Sequence, residues 1–201
     1  AEHGRPAPVS FRVNPDVDPK THPYISTGLK ENKFGVAFEE ALPLYRRAAA
    51  SRSLRVVGVD FHIGSQLTET APFVAALERV LELVDALGHE GIALHHLDLG
   101  GGLGIRYRDE APPPVAAYLG ALLERVAARP LKILLEPGRA LVGNAGALLT
   151  RVEYLKPGAE HNFAIVDAAM NDLLRPALYD AWHDIVPVVA RPGPTRRYDV
   201  V

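Results

Sequence analysis

One stretch sets the architecture of the chain: Leu131-Lys-Ile-Leu-Leu-Glu-Pro-Gly-Arg-Ala-Leu-Val-Gly-Asn-Ala-Gly146. Its apolar run, residues 133 to 135, has the length of a buried strand and ends on the carboxylate of Glu136. A proline then stops the ladder of hydrogen bonds, and a glycine permits an unusual backbone angle before Arg139. A charged pair at the end of a buried strand is typical of a surface ion pair and equally of a ligand site. The residues that follow the neighbouring strands are needed to choose between these two interpretations.

Three other apolar runs end in polar or glycine-rich sequence. Residues 9–13 form a predicted strand that contains Arg12, residues 54–61 lead into His62, and residues 92–99 lead into Gly100-Gly-Gly102. Each feature also has a structural interpretation: an arginine on an edge strand, a hydrogen-bonded histidine and a tight turn. Helical periodicity predicts the helices between the strands at residues 37–50, 70–87 and 115–126.

Strands that alternate with helices predict an α/β fold with a parallel sheet. The unusual residues follow directly after the strands, where a TIM barrel keeps its chemistry. Only four such units are present and a barrel needs eight, so we predict the second half of a TIM barrel at residues 1–146. Residues 147–201, with predicted strands at 147–155 and 163–166, are expected to begin a C-terminal β domain. If the chain is helical after Pro176, Arg175 and Tyr179, four residues apart, lie on one side of that helix.

The composition narrows the function classes. The chain has 201 residues, a net charge of -2 and no cysteine, which excludes disulfides, thiolate metal sites and a cysteine nucleophile within it. The balanced charge gives no basis for a nucleic-acid partner, and no apolar run is long enough to span a membrane. We therefore expect a cytoplasmic protein with no metal. Because the only methionine is Met170, we also expect a processed start or a piece of a longer chain.

Taken together, these motifs resemble the alanine-racemase-like, fold type III family of pyridoxal-phosphate enzymes. Within that family, the ornithine decarboxylase group 2 branch is the most similar, in particular the enzymes that act on diaminopimelate. Several spaced motifs in the family's order are far more specific than any one of them. The matching stretches are Phe11-Arg-Val-Asn-Pro15, Thr27-Gly28, Lys33-Phe-Gly35, His62-Ile-Gly-Ser-Gln66, Gly100-Gly-Gly102, Glu136-Pro-Gly-Arg139 and Arg175-Pro-Ala-Leu-Tyr179.

The resemblance implies a role for each matching residue. Glu136 would pair with the pyridine nitrogen of pyridoxal 5'-phosphate, His62 would stack on the ring, and Arg12 would keep Glu136 ionised. The implied phosphate contacts are Ser65, Gly101, Gly102 and the turn formed by Pro137, Gly138 and Arg139. The implied substrate contacts are Arg139, Arg175 and Tyr179, because a guanidinium matches the geometry of a carboxylate.

The resemblance also implies groups that this chain lacks. The family uses a lysine that bonds covalently to the cofactor and a cysteine supplied across a homodimer interface, and neither is present in a matching context. We therefore expect a fragment that is inactive alone, from a homodimer that decarboxylates meso-diaminopimelate to L-lysine. The alternatives are another decarboxylase of this fold, acting on ornithine, arginine or carboxynorspermidine, and a non-catalytic regulatory homologue.

Overall fold

The computed structural model describes residues 4–17, 33–190 and 192–201, so the Thr27-Gly28 motif lies outside the described residues. The chain divides into two compact units, which are described separately below. The first comprises residues 1–105 and 111–144, and the second comprises residues 106–110 and 145–201. Among the described helices, none has both the length and the apolar character needed to cross a membrane.

The first unit is a parallel sheet with helices between its strands, which confirms the predicted α/β fold. Its five strands lie in the order β2-β1-β3-β4-β5, and every neighbouring pair is parallel. The strands are β1 Ala7–Asn14, β2 Val36–Ala37, β3 Leu54–Asp60, β4 His96–Asp98 and β5 Lys132–Leu134. The helices are α1 Phe38–Ala49, α2 Ala71–His89, α3 Val115–Val126 and α4 Arg139–Val142.

In the first unit, one predicted strand is shorter in the structure, and one short strand was not predicted. The predicted strand at 92–99 is reduced to β4, because Ile92 and Leu94 pack against the core without joining the ladder. The short β2 was not predicted and pairs with Val13 and Asn14 of β1. Two residues carry no periodicity, so only the pairing partner defines such a strand.

The face of the sheet that packs against the helices is apolar. Phe11 of β1 meets Tyr45 of α1 edge to face at 4.9 Å, and the Tyr45 hydroxyl donates to the Gly58 carbonyl at 2.8 Å. Helix α2 buries Phe73, whose ring lies 4.9 Å from that of Tyr118 in α3. Each fully buried side chain of this size contributes about 1.5–3 kcal/mol, so this layer is the source of the first unit's stability.

The opposite face of the same sheet is polar. Alternate residues along each strand point to opposite faces, so Arg12, Asp60 and Asp98 lie on the face away from the helices. The register pairs Arg12 with Asp60, and Asp60 with Asp98, which makes them a row across three neighbouring strands. The polar face therefore brings charged groups to the carboxyl ends of the strands.

The second unit contains a three-stranded sheet in the order β6-β7-β8. Its elements are β6 Val152–Lys156, β7 Phe163–Val166, α5 Arg175–Tyr179 and β8 Asp199–Val200. The strand predicted at 147–155 begins later, at Val152, because the Asp167 carboxylate holds the Thr150 hydroxyl and the Arg151 amide, each at 2.8 Å. Strands β6 and β7 pair antiparallel, and β8 adds parallel to β7.

Candidate active site

The first part of the candidate site is the end of β1 and the residues that follow β3. The Arg12 Nη2 atom donates to the His62 carbonyl at 3.4 Å, while its Nε atom is buried without a hydrogen-bond partner. The guanidinium carbon lies 5.2 Å from the centre of the Phe34 ring, so the Lys33-Phe-Gly35 motif reaches the same place. Arg12 is therefore held inside the fold, and the interpretation as a surface arginine of an edge strand is wrong.

The His62 imidazole lies against the glycine-rich loop that follows β4. The Gly101 amide donates to His62 Nδ1 at 3.2 Å, so Nδ1 is the accepting nitrogen and the ring proton is assigned to Nε2. Burial, together with the nearby charge of Arg12, lowers the pKa of His62 below its ordinary value. At neutral pH the imidazole is therefore uncharged.

The glycine loop also contacts the end of β5. The Glu136 amide donates to the Gly100 carbonyl at 2.8 Å. A Cβ at Gly101 would lie 2.1 Å from the Glu136 carbonyl oxygen, so only glycine fits there without displacement. Two successive glycines, Gly100 and Gly101, thus connect the Glu136 backbone to the His62 imidazole at the same edge of the sheet. The prediction that these groups converge is confirmed.

The Glu136 carboxylate is exposed and faces the row of charges beneath it. Partial desolvation and repulsion from Asp98 and Asp60 raise the pKa of Glu136, and Arg12 opposes that rise. Arg12 thus acts on Glu136 in the expected direction, but desolvation and the two aspartates outweigh it. That Arg12 keeps Glu136 ionised stays a prediction.

A second set of side chains connects the loop after β3 to the turn after β5. Arg139 donates to Ser65 Oγ at 2.8 Å and to Gln66 Oε1 at 3.2 Å. Gln66 also pairs with the backbone of Ile105, donating to its carbonyl at 2.6 Å and accepting from its amide at 3.1 Å. The predicted phosphate residues Ser65 and Arg139 thus lie in direct contact.

The three glycine amides are less available than the sequence suggested. The Gly100 amide donates to Asp98 Oδ1 at 2.8 Å, and the Gly101 amide is used by His62. Gly102, whose φ of +113° suits glycine alone, forms no amide hydrogen bond within the described residues. An anion at this loop would therefore meet the Gly102 amide, and the contact of a phosphate with Gly101 stays a prediction. At the neighbouring turn of Pro137 and Gly138, no atom lies within 4 Å of where a Gly138 Cβ would stand.

A family model described as pyridoxal-dependent decarboxylase, pyridoxal binding domain, matches residues 1–143. The chain belongs to this pyridoxal-dependent decarboxylase family.

Proteins named diaminopimelate decarboxylase are similar to this chain over all or nearly all of its length. Diaminopimelate decarboxylase of Pseudomonas aeruginosa is 63% identical over 201 residues, which are 100% of this chain and 48% of that protein. Diaminopimelate decarboxylase of Neisseria meningitidis serogroup A is 63% identical over 188 residues, 94% of this chain and 46% of that protein. The crystal structure of diaminopimelate decarboxylase from Helicobacter pylori complexed with L-lysine has a TM-score of 0.94 at 44% identity, covering 100% of this chain and 50% of that one. The chain spans about half the length of the relatives it matches.

Two predicted substrate residues, Arg175 and Tyr179, lie in the second unit. The Arg175 guanidinium carbon is 5.3 Å from the centre of the Tyr179 ring, and both residues belong to α5. The structure thus brings Arg175 and Tyr179 together on one side of the helix. Whether they act with Arg139, which belongs to the first unit, stays a prediction.

Sequence reasoning missed two charged residues that lie at the candidate site. Asp60 accepts a hydrogen bond from the Ser10 hydroxyl at 3.0 Å, and Asp98 holds the Gly100 amide. Burial, with repulsion from Asp98, raises the pKa of Asp60. The available signal was position: each aspartate stands two residues before a residue already singled out, His62 after β3 or Gly100 after β4, and residues two apart on a strand lie on the same face.

Proposed function

We propose that the protein containing this chain binds pyridoxal 5'-phosphate and decarboxylates meso-diaminopimelate to L-lysine. The observation that carries the proposal is the convergence of Glu136, His62 and Gly101 at one edge of a parallel sheet, in a chain 63% identical to named diaminopimelate decarboxylases. We further propose that the first unit is half of a cofactor-binding barrel, that the second begins a β domain, and that the enzyme is cytoplasmic.

The residues present fit the chemical groups of the cofactor. A phosphate needs a cation and hydrogen-bond donors, which Arg139, the Ser65 hydroxyl and the Gly102 amide supply. A protonated pyridine nitrogen needs an accessible carboxylate, and the Glu136 side chain is exposed beside two further acids. A flat aromatic cation needs an uncharged planar neighbour, and the lowered pKa of His62 keeps its ring neutral.

When bound, the cofactor supplies an electron sink for the pair of electrons left as carbon dioxide departs. Glu136 would accept a hydrogen bond from the protonated pyridine nitrogen, and its raised pKa would make it a stronger acceptor. Arg12 opposes that rise and favours the ionised carboxylate. His62, oriented by the Gly101 amide, would stack on the cofactor ring. The residues of this chain would therefore bind and orient the cofactor and hold a proton at its ring nitrogen.

The substrate proposal rests on the arginines. A substrate with a second carboxylate requires a cation at its far end, whereas ornithine or lysine requires an acidic group there. Arg175 with Tyr179 supplies the cation, and we propose that Arg139 assists.

We also propose, by resemblance to the family, a homodimer with the active site at the subunit interface. The test is to mix two subunits that are inactivated by different substitutions, because recovered activity would show that both subunits contribute to one site.

The deciding experiment uses the full-length protein that contains this chain. Purified with pyridoxal phosphate, it should release carbon dioxide from meso-diaminopimelate and much less from ornithine, arginine or lysine. Glu136→Gln should lower kcat about a hundredfold, because one preorganised electrostatic contact in an active site contributes on that scale. Glu124→Gln, an exposed carboxylate of α3, serves as the matched control and should have no effect. Release from ornithine instead would overturn the substrate assignment, and release from no amino acid would overturn the enzyme.

A further inference from the structure

The second unit holds Arg175 between aromatic rings. Its guanidinium carbon lies 5.3 Å from the Tyr179 ring centre and 5.8 Å from that of Tyr107. The Tyr107 ring in turn meets the His183 ring edge to face at 5.8 Å. Three aromatic side chains thus form one continuous stack with Arg175, and Tyr107 comes from a segment far from α5 in the sequence.

The way in which Arg175 is held leaves its charge uncompensated. Its Nε atom is buried without a hydrogen-bond partner, and the guanidinium forms no ion pair within the described part of the chain. A carboxylate partner would fix an arginine and also neutralise it, whereas the face of a ring attracts the cation through its quadrupole and leaves the charge intact. The stack therefore restrains Arg175 while keeping it ready for an anion.

The segment that carries Tyr107 has its own support. The Glu110 carboxylate accepts hydrogen bonds from the Tyr107 amide at 2.9 Å and from the Arg108 amide at 2.7 Å. Those backbone donors, the Arg108 amide above all, keep the pKa of Glu110 below its ordinary value, so it is ionised at neutral pH. In the sequence, Tyr107 stands five residues after Gly102.

We propose that Tyr107 is a positioning residue that orients Arg175 to bind the far carboxylate of a dicarboxylic amino acid. This rests on the proposed function, and it adds a specificity residue outside the matching family motifs. Tyr107 acts through Arg175 and needs no contact with substrate. The ring face, not the hydroxyl, carries the effect, because a cation is attracted to the face of either phenylalanine or tyrosine.

The test is made in the full-length protein with pyridoxal phosphate bound, using Tyr107→Leu and Tyr107→Phe. Trp182→Leu is the matched control, because Trp182 stacks on Arg108 at 4.6 Å in the same unit. The readouts are the KM and kcat for diaminopimelate and the Kd of pimelate, an unreactive dicarboxylate of the same chain length, by calorimetry. Retained cofactor absorbance and thermal midpoint show that each variant is folded.

Tyr107→Leu should raise both KM and the pimelate Kd about threefold to thirtyfold, the range of a cation–π contact, with kcat nearly unchanged. In Tyr107→Phe and in Trp182→Leu, KM and the pimelate Kd should both equal the wild-type values. If Tyr107→Leu does not fold, Tyr107→Met, which keeps a long apolar side chain but has no ring face, should raise the pimelate Kd over the same range.

Equal Kd values for wild type and Tyr107→Leu, or an equal loss in Tyr107→Phe, would overturn the proposal. So would equal weakening by Trp182→Leu. Failure of the proposed function can be told apart from failure of the role given to Tyr107. In the first case the wild-type enzyme releases no carbon dioxide from diaminopimelate, and pimelate binding still shows whether Tyr107 orients Arg175. Wild-type protein that does not bind pimelate would also overturn the role given to Arg175.

Discussion

Replacing Gly101 with alanine perturbs the contact that joins the loop after β4 to the end of β5. The new Cβ would lie 2.1 Å from the Glu136 carbonyl oxygen, whereas ordinary contact begins at 3.4 Å, so the two backbones must separate by more than 1 Å. The nearest hydrogen bond, from the Glu136 amide to the Gly100 carbonyl at 2.8 Å, does not survive such a separation.

The free-energy change has three parts. Overpacking against backbone costs about 1–3 kcal/mol, because a carbonyl oxygen has no rotamer to escape into. The lost hydrogen bond costs about 0.5–1.5 kcal/mol. Against these, alanine restricts the unfolded chain and returns about 0.4–1 kcal/mol. Gly101→Ala should therefore lower the free energy of unfolding by about 0.5–4 kcal/mol, with a central value of about 2 kcal/mol.

The assay is urea denaturation of the full-length protein followed by far-ultraviolet circular dichroism. Hydrogen exchange of the peptides from β4 and β5 localises the effect, and the Kd of pyridoxal phosphate should rise as Glu136 and His62 move apart. Gly120→Ala is the control: Gly120 lies in α3 with no atom within 4 Å of the built Cβ, so alanine should stabilise the protein by about 0.5–1 kcal/mol. Equal stability of Gly101→Ala and wild type, with unchanged exchange and cofactor affinity, would refute this reasoning.

Three further substitutions test the polar face and its supports. Gly58→Ala would bring a Cβ within 2.2 Å of His96 Nε2, and a loss of about 1–3 kcal/mol in urea denaturation is expected; an unchanged midpoint would contradict the packing. Asp60 binds its proton more tightly in the folded state, so stability falls as pH rises above its ordinary pKa of 3.8. Asp60→Asn should remove the loss of stability that the ionisation of Asp60 causes between about pH 4 and about pH 7, which urea midpoints at the two pH values measure. If the variant and the wild type lose the same stability over this range, Asp60 is not its source. Gln66→Glu loses the donor to the Ile105 carbonyl at 2.6 Å and should cost about 1–3 kcal/mol, whereas equal stability would show that the contact is dispensable.

The sequence predicted the helices well because their packing follows their periodicity. The apolar stripe of α2 was predicted at residues 70–87, and the helix spans Ala71–His89 with Phe73, Leu77 and Val80 fully buried. Strand ends were less predictable. Ile92 and Leu94 are apolar because they cover the core, and nothing in their residue type shows that the ladder begins only at His96.

The convergence of the candidate site was predictable from topology alone. His62 and Glu136 follow parallel strands, and the carboxyl ends of parallel strands meet at one edge of the sheet. The use of the glycine amides was not predictable, because it depends on where neighbouring acceptors lie. Only the structure shows that Asp98 and His62 take the amides of Gly100 and Gly101.

The acids beneath the site explain why Glu136 differs from an ordinary surface carboxylate. In the described part of the first unit, Asp60, Asp98 and Glu136 lie near a single guanidinium, that of Arg12, while His62 is neutral. Partial desolvation together with repulsion from Asp98 and Asp60 raises the pKa of Glu136, and these effects outweigh the opposing effect of Arg12. A protonated pyridine nitrogen would bring a positive charge to this edge of the sheet, and a neutral one would not. Because Asp60 and Asp98 lie on β3 and β4, substitutions on those strands should alter the pKa of Glu136 as well.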